Sequence, residues 1–143
     1  MTIALSAIEE ARRRIAGIAD RTPLIPSPFL SATTGQEVLL KLETMQATGA
    51  FKLRGATNAI EAVPATAAGV TCCSTGNHGR AVAWAARRKG VRAVICMSSL
   101  VPQAKVDGIR ALGAEVRIVG RSQDDAQVEA SRLVREEGFC EIP

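Results

Sequence analysis

Aromatic residues and long apolar runs are scarce in this sequence. Phe, Trp and Tyr together make up 3% of its 143 residues, with one Trp and no Tyr. Sites for single-stranded nucleic acid stack bases on aromatic side chains, so this scarcity argues against them. No apolar run approaches the roughly 20 residues that a membrane-spanning helix needs. The sequence therefore predicts no nucleic-acid partner and no membrane association.

Metal-binding and disulfide patterns are missing as well. The chain has one histidine and four cysteines, and no two cysteines have C-x-x-C spacing. A structural zinc site would need such paired ligands, so no metal is expected. Cys72, Cys73 and Cys96 lie in short apolar runs, where cysteine acts as a small hydrophobe. With no disulfide framework and no signal peptide indicated, we expect a cytoplasmic protein.

The net charge of +4 comes mostly from two basic clusters, residues 12–14 and 87–89. Both clusters lie in segments with helical periodicity, where charged side chains usually form the solvated face. The basic charge therefore predicts solvent-exposed helix surfaces and not a nucleic-acid interface.

Short apolar runs alternate with segments of helical periodicity. Strands are predicted at 37–42, 70–73, 92–97, 115–119 and 139–142. Helices are predicted at about 52–62, 77–89, 102–112 and 122–137. A glycine precedes each strand and predicts a left-handed helix end; these are Gly35, Gly69, Gly90, Gly113 and Gly138. Such alternation is typical of an α/β protein with an open, mostly parallel twisted sheet and helices on both faces.

The first 45 residues differ from this repeating pattern. Ser6 and Glu9 predict a capping box at the start of a helix, and the prolines at 23, 26 and 28 predict an extended connector. We expect residues 1–45 to belong to an incomplete large domain and residues 46–143 to form a small α/β domain. The chain stops just after the beginning of a predicted strand, which predicts a truncated domain.

Residues 74–80 follow an apolar run and open a predicted helix. A glycine-containing turn of this kind leaves backbone N–H groups at the positive end of the helix, which suits a carboxylate or a phosphate. The segment contains G-x-x-G but not the dinucleotide pattern G-x-G-x-x-G, and the segment 49–55 is not a Walker A loop. A polar helix start without a ligand therefore stays open as an alternative.

Lys52 is a second feature of interest and lies at the beginning of another predicted helix. A solvated lysine titrates near 10.4 and is a poor nucleophile at neutral pH. Apolar cover or a nearby cation makes a lysine easier to convert to an imine, and Phe51 and Arg54 are positioned to supply them. An ordinary surface lysine is the alternative.

The two segments together match a known pattern. Ala50-Phe-Lys-Leu-Arg-Gly-Ala56 and Ser74-Thr-Gly-Asn-His-Gly79 resemble the S-F-K-x-R-G-A and S-x-G-N-H-G signatures of fold type II pyridoxal-phosphate enzymes. The resemblance is to the serine/threonine dehydratase and serine racemase group. It runs from about residue 8 to the end and includes Arg21-Thr-Pro-Leu24 and Lys41-Leu-Glu43. Residues 94–127 are most similar to dehydratases that take part in hydroxyectoine utilisation. This match to one branch of the family is weaker than the match to the two signatures.

The resemblance implies a lyase that depends on pyridoxal 5'-phosphate. Its substrate would be a β-hydroxy amino acid such as serine, threonine or a hydroxyectoine-derived compound, and its products a 2-oxo acid and ammonia. Lys52 would bind the cofactor covalently and move the α-proton, Asn77 would hydrogen-bond the ring hydroxyl, and Phe51 would be a further cofactor contact. The substrate carboxylate would be bound by Ser74, Thr75, Gly76 and His78. The complete enzyme is expected to be a homo-oligomer.

Two departures from the family pattern bear on activity. Ala50 replaces the usual serine before Phe-Lys, and Thr75 stands where racemases of this group place a serine as their second base. The second change favours a dehydratase over a serine racemase, which remains the alternative enzyme. The loop that would hold the cofactor phosphate is expected beyond residue 143, so this chain alone is expected to be weakly active or inactive. A protein of another functional class, a non-catalytic flavodoxin-like module that binds an anion or nucleotide, is also an alternative.

Overall fold

The computed structural model describes residues 3–143 as an α/β fold. Its helices are α1 Leu5–Arg14, α2 Pro28–Thr34, α3 Lys52–Glu61, α4 Asn77–Lys89, α5 Gln103–Arg110 and α6 Gln123–Glu137, with a 3-10 helix at Glu43–Met45. Its strands are β1 Leu24–Pro26, β2 Leu39–Lys41, β3 Gly69–Cys73, β4 Ala93–Met97, β5 Glu115–Ile118 and β6 Phe139–Glu141. None of the helices within residues 3–143 combines the length and apolarity that a bilayer crossing requires.

Four strands form a parallel sheet in the order β5-β4-β3-β6. One face packs against α3, α4 and α5 through a core that includes Ile60, Val82 and Ile109. The other face packs against α6 through Ala126, Ala130 and Leu133. The predicted fold class, a mostly parallel sheet with helices on both faces, is confirmed.

The end of β3 lies at the point in the sheet where the strand order reverses. The chain moves outward from β3 to β4 and β5, and then returns to add β6 on the opposite side of β3. Ligands of open α/β sheets bind outside the carboxyl ends of the strands where the order reverses in this way. The segment that begins at Ser74 leaves β3 at this position.

Helices α3 and α4 run side by side in the same direction. At their carboxyl ends, Nζ of Lys89 donates to the carbonyl oxygens of Ile60, Glu61 and Val63 at 2.7, 3.0 and 3.4 Å. The Glu61 carbonyl belongs to the last residue of α3, where a helix leaves acceptors without internal partners. Helix α3 leads into the start of β3 and α4 leaves the end of β3, so with their carboxyl ends together both helices begin at the same edge of the sheet.

Replacing Lys89 with methionine should lower the free energy of unfolding by about 1–2 kcal/mol, because a charged donor to the α3 terminus is lost. Urea denaturation measures this change. Lys105→Met on the exposed surface of α5 is the matched control, and we expect an effect within about 0.5 kcal/mol. Equal losses for the two variants would contradict this role of Lys89.

The structure corrects the prediction for the first 45 residues in three places. Helix α1 begins after Ala4 with no side-chain cap, so the Ser6–Glu9 capping box is wrong: both residues are already inside the helix. The predicted proline connector instead contains β1 and α2, because Pro28 at the first helical position is compatible with a helix start. Strand β2 pairs antiparallel with β1 and both strands are exposed, so 37–42 is not a buried parallel strand.

Gly69 does not follow the prediction that each of these glycines forms a left-handed helix end. The other four glycines have positive φ and end helices or turns as predicted, whereas Gly69 is the first residue of β3. A Cβ at this position would lie 2.6 Å from the carbonyl oxygen of Arg92. Glycine is therefore needed here for the close approach of two strands and not for a left-handed turn.

Candidate active site

The loop between β3 and α4 is held together by the buried side chain of Ser74. Its Oγ accepts hydrogen bonds from the backbone N–H groups of Gly79 at 2.8 Å and Gly76 at 3.3 Å. Ser74 is 5% exposed. Its oxygen thus shapes the loop, while its O–H proton has no acceptor among the described residues and is available for the carboxylate contact that the resemblance implies.

Gly79 lets the first turn of α4 approach the sheet closely. A Cβ at this position would lie 3.0 Å from Cγ2 of Ile95 on β4 and 3.1 Å from Cβ of Ser74. These distances are shorter than ordinary van der Waals contacts. The second glycine of the G-x-x-G pattern is therefore a packing requirement that fixes the helix start against the sheet.

Three backbone amides of this loop have no acceptor among the described residues. They belong to Thr75, Asn77 and His78, while the first hydrogen bond of α4 runs from Arg80 N–H to the carbonyl of Gly76. Thr75 and Asn77 are exposed. Free N–H groups at the positive end of a helix bind anions, so the predicted carboxylate site has suitable donors.

The side chain of His78 is turned towards the end of the sheet. Its Nε2 lies 3.1 Å from the carbonyl oxygen of Ile142, which follows β6. Because a carbonyl oxygen can only accept, Nε2 carries the proton in this contact. The imidazole therefore ties the loop to β6 through Nε2, and the backbone N–H of His78 is left to bind a ligand.

Lys52 is the first residue of α3 and is exposed, so its amine is accessible. Nζ lies 5.8 Å from the centroid of the Phe51 ring, close enough for a cation–π contact. Phe51 itself is 61% exposed. The apolar cover that the sequence suggested for Lys52 is thus limited to one face of a solvent-exposed ring.

Arg54 does not serve as the free cation that the sequence suggested beside Lys52. Its Nε and one terminal nitrogen donate to the two carboxylate oxygens of Glu43 at 2.9 and 2.8 Å. Chiefly because of this hydrogen bonding, the pKa of Glu43 is lowered to about 2. The guanidinium charge is compensated by the carboxylate.

Two clefts border this region. One of about 460 Å³ lies between the start of α4 and helix α5, lined by Gly76, Asn77 and Arg80 on one side and by Ala104, Lys105, Gly108 and Ile109 on the other. A wider one of about 660 Å³ lies near α1, where Arg12, Arg21, Lys41 and Arg54 are among its lining residues. Lys52 lines neither cleft. We give more weight to the smaller one, because it adjoins the free amides.

The chemical groups of this edge suit pyridoxal phosphate and an amino-acid substrate. Lys52 offers a primary amine for an imine, and the side-chain amide of Asn77 has no partner within residues 3–143. The free loop amides offer donors for a carboxylate. The structure brings Lys52 and Asn77 to the same edge as the first residues of two parallel helices, although they are far apart in sequence. No group of three or more potential metal ligands occurs within the described residues.

Glu43 is the residue of this region that sequence reasoning missed. The motifs Arg21-Thr-Pro-Leu24 and Lys41-Leu-Glu43 indicated family resemblance but suggested no role for their side chains. In the fold, Thr22 and Glu43 lie together, with Thr22 Oγ1 donating to Glu43 Oε1 at 2.6 Å. The signal was present in the sequence, but the contact joins segments that only the fold brings together.

Comparison with known proteins identifies the family to which the sequence motifs point. Residues 15–143 match the family described as pyridoxal-phosphate dependent enzyme. The chain is 59% identical to a putative threonine dehydratase of Sinorhizobium fredii over 143 residues, which are 99% of this chain and 43% of that protein. It is 40% identical to the L-threonine ammonia-lyase of Thermotoga maritima over 95% of this chain and 34% of that protein. The chain thus spans less than half the length of these relatives.

Solved structures show the same relationship. Maize serine racemase superposes with a TM-score of 0.92 at 33% identity, covering 100% of this chain and 44% of that one. A threonine deaminase from T.th. superposes with a TM-score of 0.87 at 38% identity, covering 98% of this chain and 44% of that one. These matches argue against the non-catalytic flavodoxin-like module. The family match over residues 15–143 shows that this chain belongs to the pyridoxal-phosphate-dependent enzymes.

Proposed function

We propose that this chain carries the reactive lysine and the substrate-carboxylate loop of an ammonia-lyase that acts on a β-hydroxy amino acid. The observation that carries the proposal is the placement of Lys52 and the free amides of Thr75, Asn77 and His78 at the amino ends of two parallel helices. The names of the similar proteins point to threonine as the substrate. Serine or a hydroxyectoine-derived amino acid has the same reacting groups.

Each residue has a distinct task in this reaction. Lys52 would hold the cofactor through Nζ and would take the proton from the substrate Cα. The amides of Thr75, Asn77 and His78 would hold the substrate carboxylate and orient the Cα–H bond towards Lys52. The side chain of Asn77 and the ring of Phe51 would contact the cofactor. When bound, pyridoxal phosphate supplies an electron-withdrawing ring that stabilises negative charge at Cα.

The atoms of the overall reaction balance without an oxidant. The proton leaves Cα, the hydroxyl leaves the β-carbon, and one water molecule is formed. Hydrolysis of the resulting enamine uses one water molecule and releases ammonia and a 2-oxo acid. The chain's own residues need only to bind, orient and move protons.

Serine racemisation is a second candidate, because the fold matches maize serine racemase as well as a threonine deaminase. A racemase needs a second base on the face opposite Lys52, and the resemblance places it at Thr75. The Thr75 hydroxyl is exposed and has no partner among the described residues. A β-branched threonine has less χ1 freedom than serine, which favours the lyase. The lyase is expected to release a 2-oxo acid and ammonia from L-serine, and the racemase to release D-serine.

The organisation of the whole protein is also part of the proposal. Residues 1–45 would belong to a larger unit than the small domain at 46–143, since β1 and β2 form a separate sheet with all their residues exposed. Leu24 and Leu39 are 57% and 45% exposed, so this sheet has apolar surface available for burial. Assembly into a homo-oligomer would use such surface. The four free cysteines fit a reducing cytoplasm.

Treating the chain with pyridoxal 5'-phosphate, reducing the imine with borohydride and mapping the modified peptides tests the role of Lys52. Four lysines can react: Lys41, Lys52, Lys89 and Lys105. We expect preferential labelling of Lys52, because Lys41 and Lys89 donate hydrogen bonds to backbone carbonyls. Lys105 is exposed but lines the smaller cleft beside Asn77, so the mean label of the three other lysines, and not that of Lys105 alone, reports non-specific reaction.

Two further observations complete this test. Lys52→Ala should remove the dominant label and its imine absorption band, while Lys89→Ala, at the opposite end of α4, should leave both unchanged. Equal labelling of Lys52 and the three other lysines in the unmodified chain would overturn the assignment of Lys52 as the cofactor lysine.

A further inference from the structure

The chain around Lys52 is held by a network of polar side chains that the reaction itself does not use. Glu43 and Arg54 lie at the two ends of the segment that carries Lys52 and join across it. The two nitrogen–oxygen distances between Arg54 and Glu43 are below 3 Å, and the contacts engage both oxygens of the carboxylate. Such a two-pronged contact fixes geometry more strictly than a single ion pair.

A second set of contacts attaches this segment to the N-terminal part of the chain. The side-chain amide of Gln46 pairs with the backbone of Asp20 in both directions, accepting from its N–H at 3.1 Å and donating to its carbonyl at 2.9 Å. Arg54 donates to the same carbonyl at 2.9 Å. Gln46 is 4% exposed, so its own two contacts with Asp20 are largely shielded from water.

The network is connected to the reactive lysine through a short stretch of chain. Arg54 lies two residues after Lys52 in the first turn of α3, and Gly49 turns the chain with φ +72° just before that helix. The first turn has no side-chain cap of its own. Its position therefore depends on contacts from outside the helix, and Arg54 supplies them through Glu43 and Asp20.

We propose that Glu43 and Arg54 are positioning residues that hold the first turn of α3 and thereby fix where Lys52 presents its amine. This inference rests on the proposed function of Lys52. Neither residue needs to touch substrate or cofactor. The carboxylate stays charged through neutral and mildly acidic conditions, because hydrogen bonding from Arg54 lowers the pKa of Glu43 to about 2.

Two variants of the full chain test this inference. Glu43→Gln keeps the size of the side chain and removes its charge, and Arg54→Lys keeps the charge and removes the two-pronged contact. The measured quantity is the borohydride-trapped label from pyridoxal 5'-phosphate at Lys52, divided by the mean label of the three other lysines in the same sample. We expect this ratio to fall roughly tenfold in both variants, since a small displacement of a reacting group has effects of this order or larger.

Glu129→Gln is the matched control. Glu129 also binds two-pronged to an arginine, Arg132, and its pKa is likewise lowered to about 2. Its side chain is 16% exposed, against 19% for Glu43. It lies on α6, across the sheet from α3, so a general loss of stability would occur in this variant with no change in the labelling ratio.

The outcomes separate the two proposals. A ratio near one in the unmodified chain would overturn the proposed function of Lys52. A high ratio that is unchanged in folded Glu43→Gln and Arg54→Lys would overturn the positioning role alone. Circular dichroism establishes whether each variant is folded at the labelling temperature. Failure of both variants to fold would also overturn the positioning role, because the network would then determine stability instead of lysine placement.

Discussion

Replacing Ile95 with alanine should lower the free energy of unfolding by about 2–5 kcal/mol, the range found for truncating a buried branched side chain. Ile95 is 0% exposed on β4, the strand that pairs with both β3 and β5. It belongs to the core cluster under α3, α4 and α5. Truncation leaves a cavity between the sheet and the helices that carry the candidate site, and urea denaturation measures the loss.

The same substitution at an exposed position provides the control. Ile8 on α1 is 55% exposed, so Ile8→Ala should change the free energy of unfolding by no more than about 0.5 kcal/mol. If Ile95→Ala cost no more than this control, the packing of β4 against the helices would have to be revised.

Replacing Gly79 with alanine should also destabilise the protein, by about 1–3 kcal/mol, because the added methyl group overfills a packed contact. Its Cβ would lie 3.0 Å from Cγ2 of Ile95 and 3.2 Å from Oγ of Ser74. The neighbours have to move apart, which disturbs the hydrogen bond from Gly79 N–H to Ser74. We therefore expect changes in the backbone amide NMR signals of the loop together with the loss of stability.

Gly108→Ala separates this contact from the general effect of a glycine in a helix. Gly108 lies within α5, and nothing is within 4 Å of the Cβ that an alanine would add there. This variant should gain about 0.5–1 kcal/mol from helix propensity. A similar gain in Gly79→Ala would show that α4 does not require the close approach.

Combining Gly79→Ala with Ile95→Ala tests whether the two positions share one contact. Removing Cγ2 of Ile95 relieves its clash with the methyl group added at residue 79, while the close contacts of that methyl group with Ser74 remain. The loss in the double variant should then be smaller than the sum of the single losses, as is usual for residues in contact. Additive losses would mean that the loop and β4 are energetically independent.

The alternating half of the chain could be predicted well from sequence alone. Short apolar strands followed by helices fold through contacts between neighbouring elements, and the predicted helix at 77–89 has the bounds that the structure gives to α4. The first 45 residues were predicted poorly. Strands β1 and β2 have only three residues each and are exposed, so they lack the apolar pattern that identifies a buried strand.

The sequence by itself determined the family and indicated the candidate residues of the site, since the motifs around Lys52 and Ser74 preserve the order and type of their side chains. Only the tertiary structure decided what each side chain touches. It assigns the Ser74 hydroxyl to the loop, the His78 ring to β6 and the Arg54 charge to Glu43. The physical reason is distance along the chain. Ser74 meets Gly79 within one loop, whereas His78 meets Ile142 and Arg54 meets Asp20 only after the sheet and helices have assembled.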